Sequence, residues 1–324
     1  MTAGVYDYLL AGLLICLGVL ILKAKDLLVS IILFIIFGMF VALAWVQLNA
    51  PDIALVEVVV GSALTGALFL GSLAQMESTS PQKPFQERLV GYAYKIPFVL
   101  LAVVVGSFFL TVMLPITNDS NGLRDLVDAV LGQSGVKNSV TAVVLNIRGY
   151  DTLLEIGVLL ITVIAIFALN SVQPMKNVLD HQKTSRVLII FVDLLAPIMV
   201  LVGAYLLWIG AYAPGGAFQA GAMLAGVGIL MLIRPVSLTL TQKSRRLRFS
   251  YILGLLTFIL IGFLGMVQSR NFLAMSYEQA KLLIFVIEIT TTVSIGMILM
   301  TLFAGCTGFL SDEHNNGTMK GDAS

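Results

Sequence analysis

Cysteine, histidine and tryptophan are scarce, with two of each in 324 residues. So few thiols and imidazoles leave nothing for a disulfide scaffold or a metal cluster. Cys16 and Cys306 read as small apolar fillers. His181 and His314 lie in polar segments without partners at ligand spacing. Charge is scarce too: Asp, Glu, Lys and Arg make up 11% of the chain, against about 25% in an ordinary soluble domain. A net charge of +1 offers no footprint for nucleic acid. No P-loop, GxSxG or HExxH pattern occurs, and no nucleophile–base set is visible, so an enzyme is not expected. No cofactor is expected either. What is abundant is apolar: 58% of residues are hydrophobic and the mean hydropathy is +0.98. A soluble surface does not accommodate that much apolar area. The composition implies a multi-pass membrane protein, with the lipid bilayer as its solvent.

Nine apolar runs are long enough to span: Tyr6–Leu22, Leu27–Leu48, Ile53–Leu73, Ile96–Leu114, Thr152–Leu169, Val187–Gly210, Gly216–Ile233, Phe249–Val267 and Leu282–Ala304. They are too evenly apolar for barrel strands, so the expected fold class is all-α, a polytopic transmembrane helical bundle. The first run has no Lys or Arg ahead of it and reads as a span, not a signal peptide. With nine spans, the loops holding Lys23 and Lys25, Lys83 to Lys95, Lys176 to Arg186 and Arg234 to Arg248 share one side with Lys320. The other side has only Arg124, Lys137, Arg148, Arg270 and Lys281. The positive-inside rule places the N-terminus outside and the C-terminus in the cytoplasm.

Polar stretches divide the chain. Residues 1–116 form a three-span segment plus a fourth span. In 117–172, Leu123, Leu126, Val127, Val130 and Leu131 fall at helical intervals and predict an amphipathic interfacial helix ahead of the fifth span. Residues 173–310 hold the last four spans, and 311–324 form a polar tail.

Acids inside apolar runs are costly and usually face protein or water. In Asn49-Ala50-Pro51-Asp52, Asn49 is expected to cap the third span and Pro51 suits its first turn. Asp52 then reads as a first-turn acid favoured by the helix dipole, or as part of an ion path. Glu57 is about 7.5 Å deeper, where no cap needs an acid; an ion path and a structural hydrogen bond are its two readings. Gly61, Ser62, Ala63, Gly66 and Ala67 follow and let a neighbouring helix approach closely. Asp151 and Glu155 share one face of the fifth span; Asp151 reads as a cap, and Arg148 can pair with either. Glu288, in the last span, precedes Thr290, Thr291 and Thr292, whose hydroxyls can serve an acid or line a polar path. Asp193 reads as structural. Pro214-Gly215-Gly216 alone reads as a tight hairpin turn between spans.

Taken in order, three segments resemble one family. Ala50-Pro51-Asp52 through Glu57 with Gly61 resembles the D-like segment of membrane-bound hydrogenases, also found near the end of the A subunit of Mrp-type sodium/proton antiporters. Arg148-Gly149-Tyr150-Asp151 through Glu155 resembles the E-like segment that follows it. Pro214, Gly215, Gly216 and Phe218 with Gly221 resemble the turn motif of the antiporter's B subunit. The resemblance implies a fusion of these pieces, serving as one membrane subunit of a complex that exchanges sodium for protons, with other membrane subunits as partners. It associates Glu57 and Glu155 with ion movement, and Glu288 with the last-span acid of the B subunit. The chain departs from the pattern at Ala211, where the family has histidine, at Ala217 and Leu154, where it has glycine, and at Val56, where it has threonine. A non-conducting adaptor is the alternative, motivated by the small-residue faces and the lack of a discontinuous helix pair.

Overall fold

The computed structural model describes residues 4–79, 92–113, 122–172, 186–234, 240–241, 244–269, 271–273, 275, 277–308 and 310–311. The expected polar tail beyond Ser311 and both histidines fall outside them. Nearly all of the described chain is helical. Among the described residues seven helices are long and apolar enough to cross a membrane, and two shorter apolar ones, Val99–Met113 and Ala217–Ile233, fall on the other two of the nine expected runs.

The front of the chain is α1 (Val5–Lys23), α2 (Leu27–Gln47) and a third span that changes helix type along its length. Asp26 caps α2 by accepting from Leu28 N–H at 2.9 Å. Asn49 does not cap the third span. It adopts a left-handed φ of 56° and closes α2 instead: Asn49 N–H donates to Val46 C=O at 3.0 Å and Ala50 N–H to Trp45 C=O at 2.9 Å. These two bonds form a Schellman motif, and asparagine is one of the few residues that adopts this backbone at low cost. Proline then starts the next helix one residue later. That span runs as α3 (Pro51–Val56), a π-helical stretch π1 (Glu57–Leu64) and α4 (Thr65–Thr79). The Thr65 hydroxyl donates to Val60 C=O five residues back, at 2.7 Å, in the wider register of a π-helix.

The fourth span, α5 (Tyr92–Met113), exposes every described side chain. The interfacial helix expected from the leucine spacing is α6 (Arg124–Leu131), with Leu123 and Leu126 exposed. A further element follows, α7 (Ser139–Ala142) continuing into a second π stretch, π2 (Val143–Ile147). The remaining spans are α8 (Gly149–Val172), α9 (Arg186–Ile209), α10 (Ala217–Ile233), α11 (Arg245–Ser269) and α12 (Tyr277–Thr307). Two-residue strands β1 (Leu240–Thr241) and β2 (Leu310–Ser311) pair in parallel.

α12 is the axis of the bundle and touches α4, α8, α9, α10 and α11. Its closest neighbour is α10, because glycines remove the side chains between them. A Cβ at Gly221 would lie 2.9 Å from Ile295 Cβ, and one at Gly296 would lie 3.1 Å from Gly221 C=O. Lipid gives helices no hydrophobic reason to associate, so such close backbone packing is what holds them. The α2–α3 turn, residues 134–141 and the α9–α10 turn meet at one end. β1 and β2 pair by the C-termini of α10 and α12. This is the parity a nine-span alternation requires.

Candidate functional site

α10 has 17 residues, about 25 Å of helix, less than the roughly 30 Å of a hydrocarbon core. The non-helical turn before it therefore needs partners for its backbone within the protein. Gly216 has φ +122°, which favours glycine, and a Cβ at Gly210 would sit 2.6 Å from Gly216 Cα. Gly216 N–H donates to Leu206 C=O at 2.9 Å. The turn's carbonyls are taken up by the segment before α7 and by α7 itself. Ala211 C=O accepts from Lys137 and Asn138 N–H at 2.8 and 3.1 Å. Ala213 C=O accepts from Asn138 Nδ2 at 2.9 Å, and Gly210 C=O from Thr141 Oγ1 at 2.6 Å. Pro214 lies between these clamped residues, and Phe218 packs into the core that α10 shares with α12.

Asp52 docks onto this turn. Its residue is 8% exposed. Its Oδ1 accepts from Gly215 N–H at 3.1 Å and, at the longer distance of 3.5 Å, from Asn138 Nδ2. Buried Gln219 reaches the Asp52 backbone carbonyl at 3.4 Å. A carboxylate in the first turn of α3 is thus bonded beside the start of α10, where the partial positive charge of two helix ends favours it.

A cavity of about 270 Å³ opens below the turn, with Asp52, Glu155, Gln219 and Glu288 in its walls. Glu288 is 2% exposed, and its Oε2 has no hydrogen-bond partner among the described residues. The threonines after it do not serve its carboxylate. Thr291 Oγ1 donates to Ile287 C=O at 2.6 Å and Thr292 Oγ1 to Glu288 C=O at 2.7 Å, the usual back-bonding of hydroxyls in a helix. Glu155 is exposed and forms the open wall of the cavity.

The other acids lie elsewhere. Asp151 pairs with Arg148 at 2.5 Å, with both side chains more than half exposed; neither lines a described cavity. Asp193 is held by Arg234 at 2.7 Å. Glu57 is half-buried at the start of π1. Its carboxylate folds over Gly61, whose Cβ would lie 2.5 Å from Glu57 Oε1. The same oxygen lies near Gly38 of α2, where a Cβ would collide with Ser62 Oγ. Ser62 is 1% exposed, and its hydroxyl also has no partner among the described residues. A spacing of five puts Glu57 and Ser62 on different faces of an α-helix; the π register brings both toward Gly38.

Gln219, Asn138, Thr141 and Ser62 were not legible as site residues. Gln219 alone had a signal, as an amide in an otherwise apolar run. Three of the four departures from the family pattern fall on cavity walls. Val56 and Ala217 line the first cavity, and Ala211 lines a second that also reaches Glu288.

A family model described as MbhD, the D component of MBH, matches residues 12–78. One described as a domain related to the MnhB subunit of a Na+/H+ antiporter matches residues 187–314. Over 177 residues the chain is 28% identical to a putative antiporter subunit mnhA2 of Staphylococcus aureus (strain JH9), a match covering 54% of this chain and 21% of that protein. The chain thus spans about a fifth of the length of the curated relatives it matches. A chain in the structure of the Mrp complex from Dietzia sp. DQ12-45-1b superposes with a TM-score of 0.78 at 20% identity, over 97% of this chain and 36% of that one. A chain of the membrane-bound sulfane sulfur reductase, an archaeal respiratory membrane complex, gives a TM-score of 0.50 at 21% identity, over 66% of this chain and 97% of that one. At these identities the likeness is one of fold.

Proposed function

Starting from a multi-pass chain that joins an MbhD segment to an MnhB-related domain, we propose that it is one membrane component of a multisubunit sodium/proton antiporter, or of a related ion-translocating complex, in the cell membrane. The observation that carries this reading is Glu288. Its carboxylate is buried in the middle of the bundle, lacks a partner for Oε2 among the described residues and shares a cavity with Asp52 and Glu155. An ionisable group held that way costs stability, and it is retained where it binds something that comes and goes. Protons and sodium are the ions, and Asp52, Glu155 and Glu288 are the groups that meet them. Glu57 belongs to a separate polar spot against α2. The partners are other membrane subunits, for which the exposure of the described α5 side chains leaves room. The division at 116, 172 and 310 and the outside N-terminus belong to the same reading.

The adaptor reading draws on that exposure too: α5 stands out from the bundle as a docking element does. Ion flux separates the two. In the assembled complex, Glu288→Gln keeps the shape and removes the charge. We expect assembly to persist and exchange to be lost. Exchange at the wild-type rate would leave the adaptor.

A further inference from the structure

Glu288 belongs to two cavities at once. Besides the one shared with Asp52 and Glu155, it closes the inner end of a second, of about 380 Å³, walled by Val136, Trp208, Ala211, Phe285 and Lys281. On α12, Lys281, Phe285, Glu288 and Ile295 follow at intervals of four, three and seven residues, which is one helical stripe. The first three line the second cavity, and Glu288 and Ile295 line the first. Lys281 stands two turns from Glu288, about 10.5 Å along the axis. With 31 residues, α12 measures about 46 Å and overruns the roughly 30 Å hydrocarbon core. In its first two turns Glu278 and Lys281 are exposed.

The two cavities differ in charge. The first has Asp52, Glu155 and Glu288 and no basic side chain among its described lining residues. The second has Lys281 at its mouth, with Nζ 5.8 Å from the centre of the Tyr212 ring, and Glu278 beside it. Between that mouth and Glu288 the wall is largely apolar, with Trp208 packed edge-on against Phe285. An ammonium at the entrance repels a metal cation but not neutral water, and the two to four polar partners a water needs come from Tyr212, Glu278 and Lys281 at one end of the cavity and the Glu288 carboxylate at the other.

We propose that the second cavity is a water-filled proton inlet ending on Glu288, and that Lys281 keeps metal cations off that route. The first cavity is then the cation arm, and Glu288 is the group on which the arms converge. A proton handed along the waters adds to the Glu288 carboxylate, neutralises it and releases a cation held in the first cavity. The reverse transfer returns the proton to water. Only O–H bonds form and break. The proposal rests on the antiporter reading above.

The test uses the assembled complex with Cys16→Ser and Cys306→Ser, into which Ala211→Cys is introduced. A small, membrane-impermeant thiol reagent, applied from the side on which α12 begins, labels this cysteine and stops exchange in the same preparation that exchanged before labelling. A cationic reagent labels more slowly than a neutral one, and Lys281→Gln removes that difference. Lys281→Glu raises sodium leak in the absence of a proton gradient by about tenfold, the scale on which a charged mouth changes local ion concentration. No labelling, or unchanged exchange after labelling, overturns the inlet. Equal labelling by both reagents, or an unchanged leak, overturns the role of Lys281. If Glu288→Gln abolishes exchange while labelled Ala211→Cys continues, the inlet alone falls. If Glu288→Gln exchanges normally, the functional reading itself falls.

Discussion

Glu57 and Glu288 are alike in sequence: each is an acid inside an apolar run, followed by small or hydroxyl residues. The bundle treats them differently. Glu57 is half-buried on a seam between α2 and π1, with Gly38 and Gly61 for neighbours. Glu288 is almost wholly buried on the central helix and borders two cavities. Burial without a partner is expensive, and the expense falls on Glu288. The buried carboxylate without a partner thus lies in the α10–α12 core, and the α2–π1 seam is a second polar spot beside it.

Neutralising both acids measures this contrast most directly. Glu288→Gln lowers exchange by about a hundredfold or more, the range in which a positioned proton-transfer group acts. Flux in reconstituted vesicles reads it, and equal losses for Glu288→Gln and Glu57→Gln would erase the distinction. Glu57→Gln is expected to be milder, because Glu57 lines neither cavity that Glu288 borders. Next comes packing. Gly221→Leu drives a side chain into Ile295, and overpacking of this kind costs about 1–3 kcal/mol, read as a lower melting temperature of the assembled complex. Gly18→Ala, at a position with open space around it, leaves that temperature unchanged. Thr141→Val removes the donor to Gly210 C=O and costs about 1 kcal/mol; a shift matching Gly221→Leu would mean the turn matters as much as the helix contact. The smallest effect belongs to Arg148→Gln with Asp151→Asn. That pair is exposed, and exposed ion pairs add little, so exchange and stability both stay near wild type.

Much of the architecture could be read directly from residues. The nine spans, the amphipathic α6 and the place of Pro51 at a helix start each follow from local pattern. Asn49 shows where local pattern stops. Capping the third span and closing α2 are both reasonable for an asparagine before Ala-Pro, and the choice depended on the backbone angle between two helices. Glu57 and Ser62 show the same limit, because their shared face needs the π register and no periodicity in the sequence marks it. Gln219 was visible only as an odd amide, since its value comes from Asp52, far away in the chain.

The sequence by itself determined that this is a multi-pass helical membrane protein and which acids would stand where lipid forbids them. Hydropathy and helical spacing are local quantities, summed over one or two turns. Only the tertiary structure decided that Asp52, Glu155 and Glu288 share a cavity under one glycine turn, while Glu57 stays outside it. Which acids meet depends on how closely glycine-faced helices pack and on which carbonyls a buried turn must satisfy. Both are contacts between residues that lie far apart in the chain.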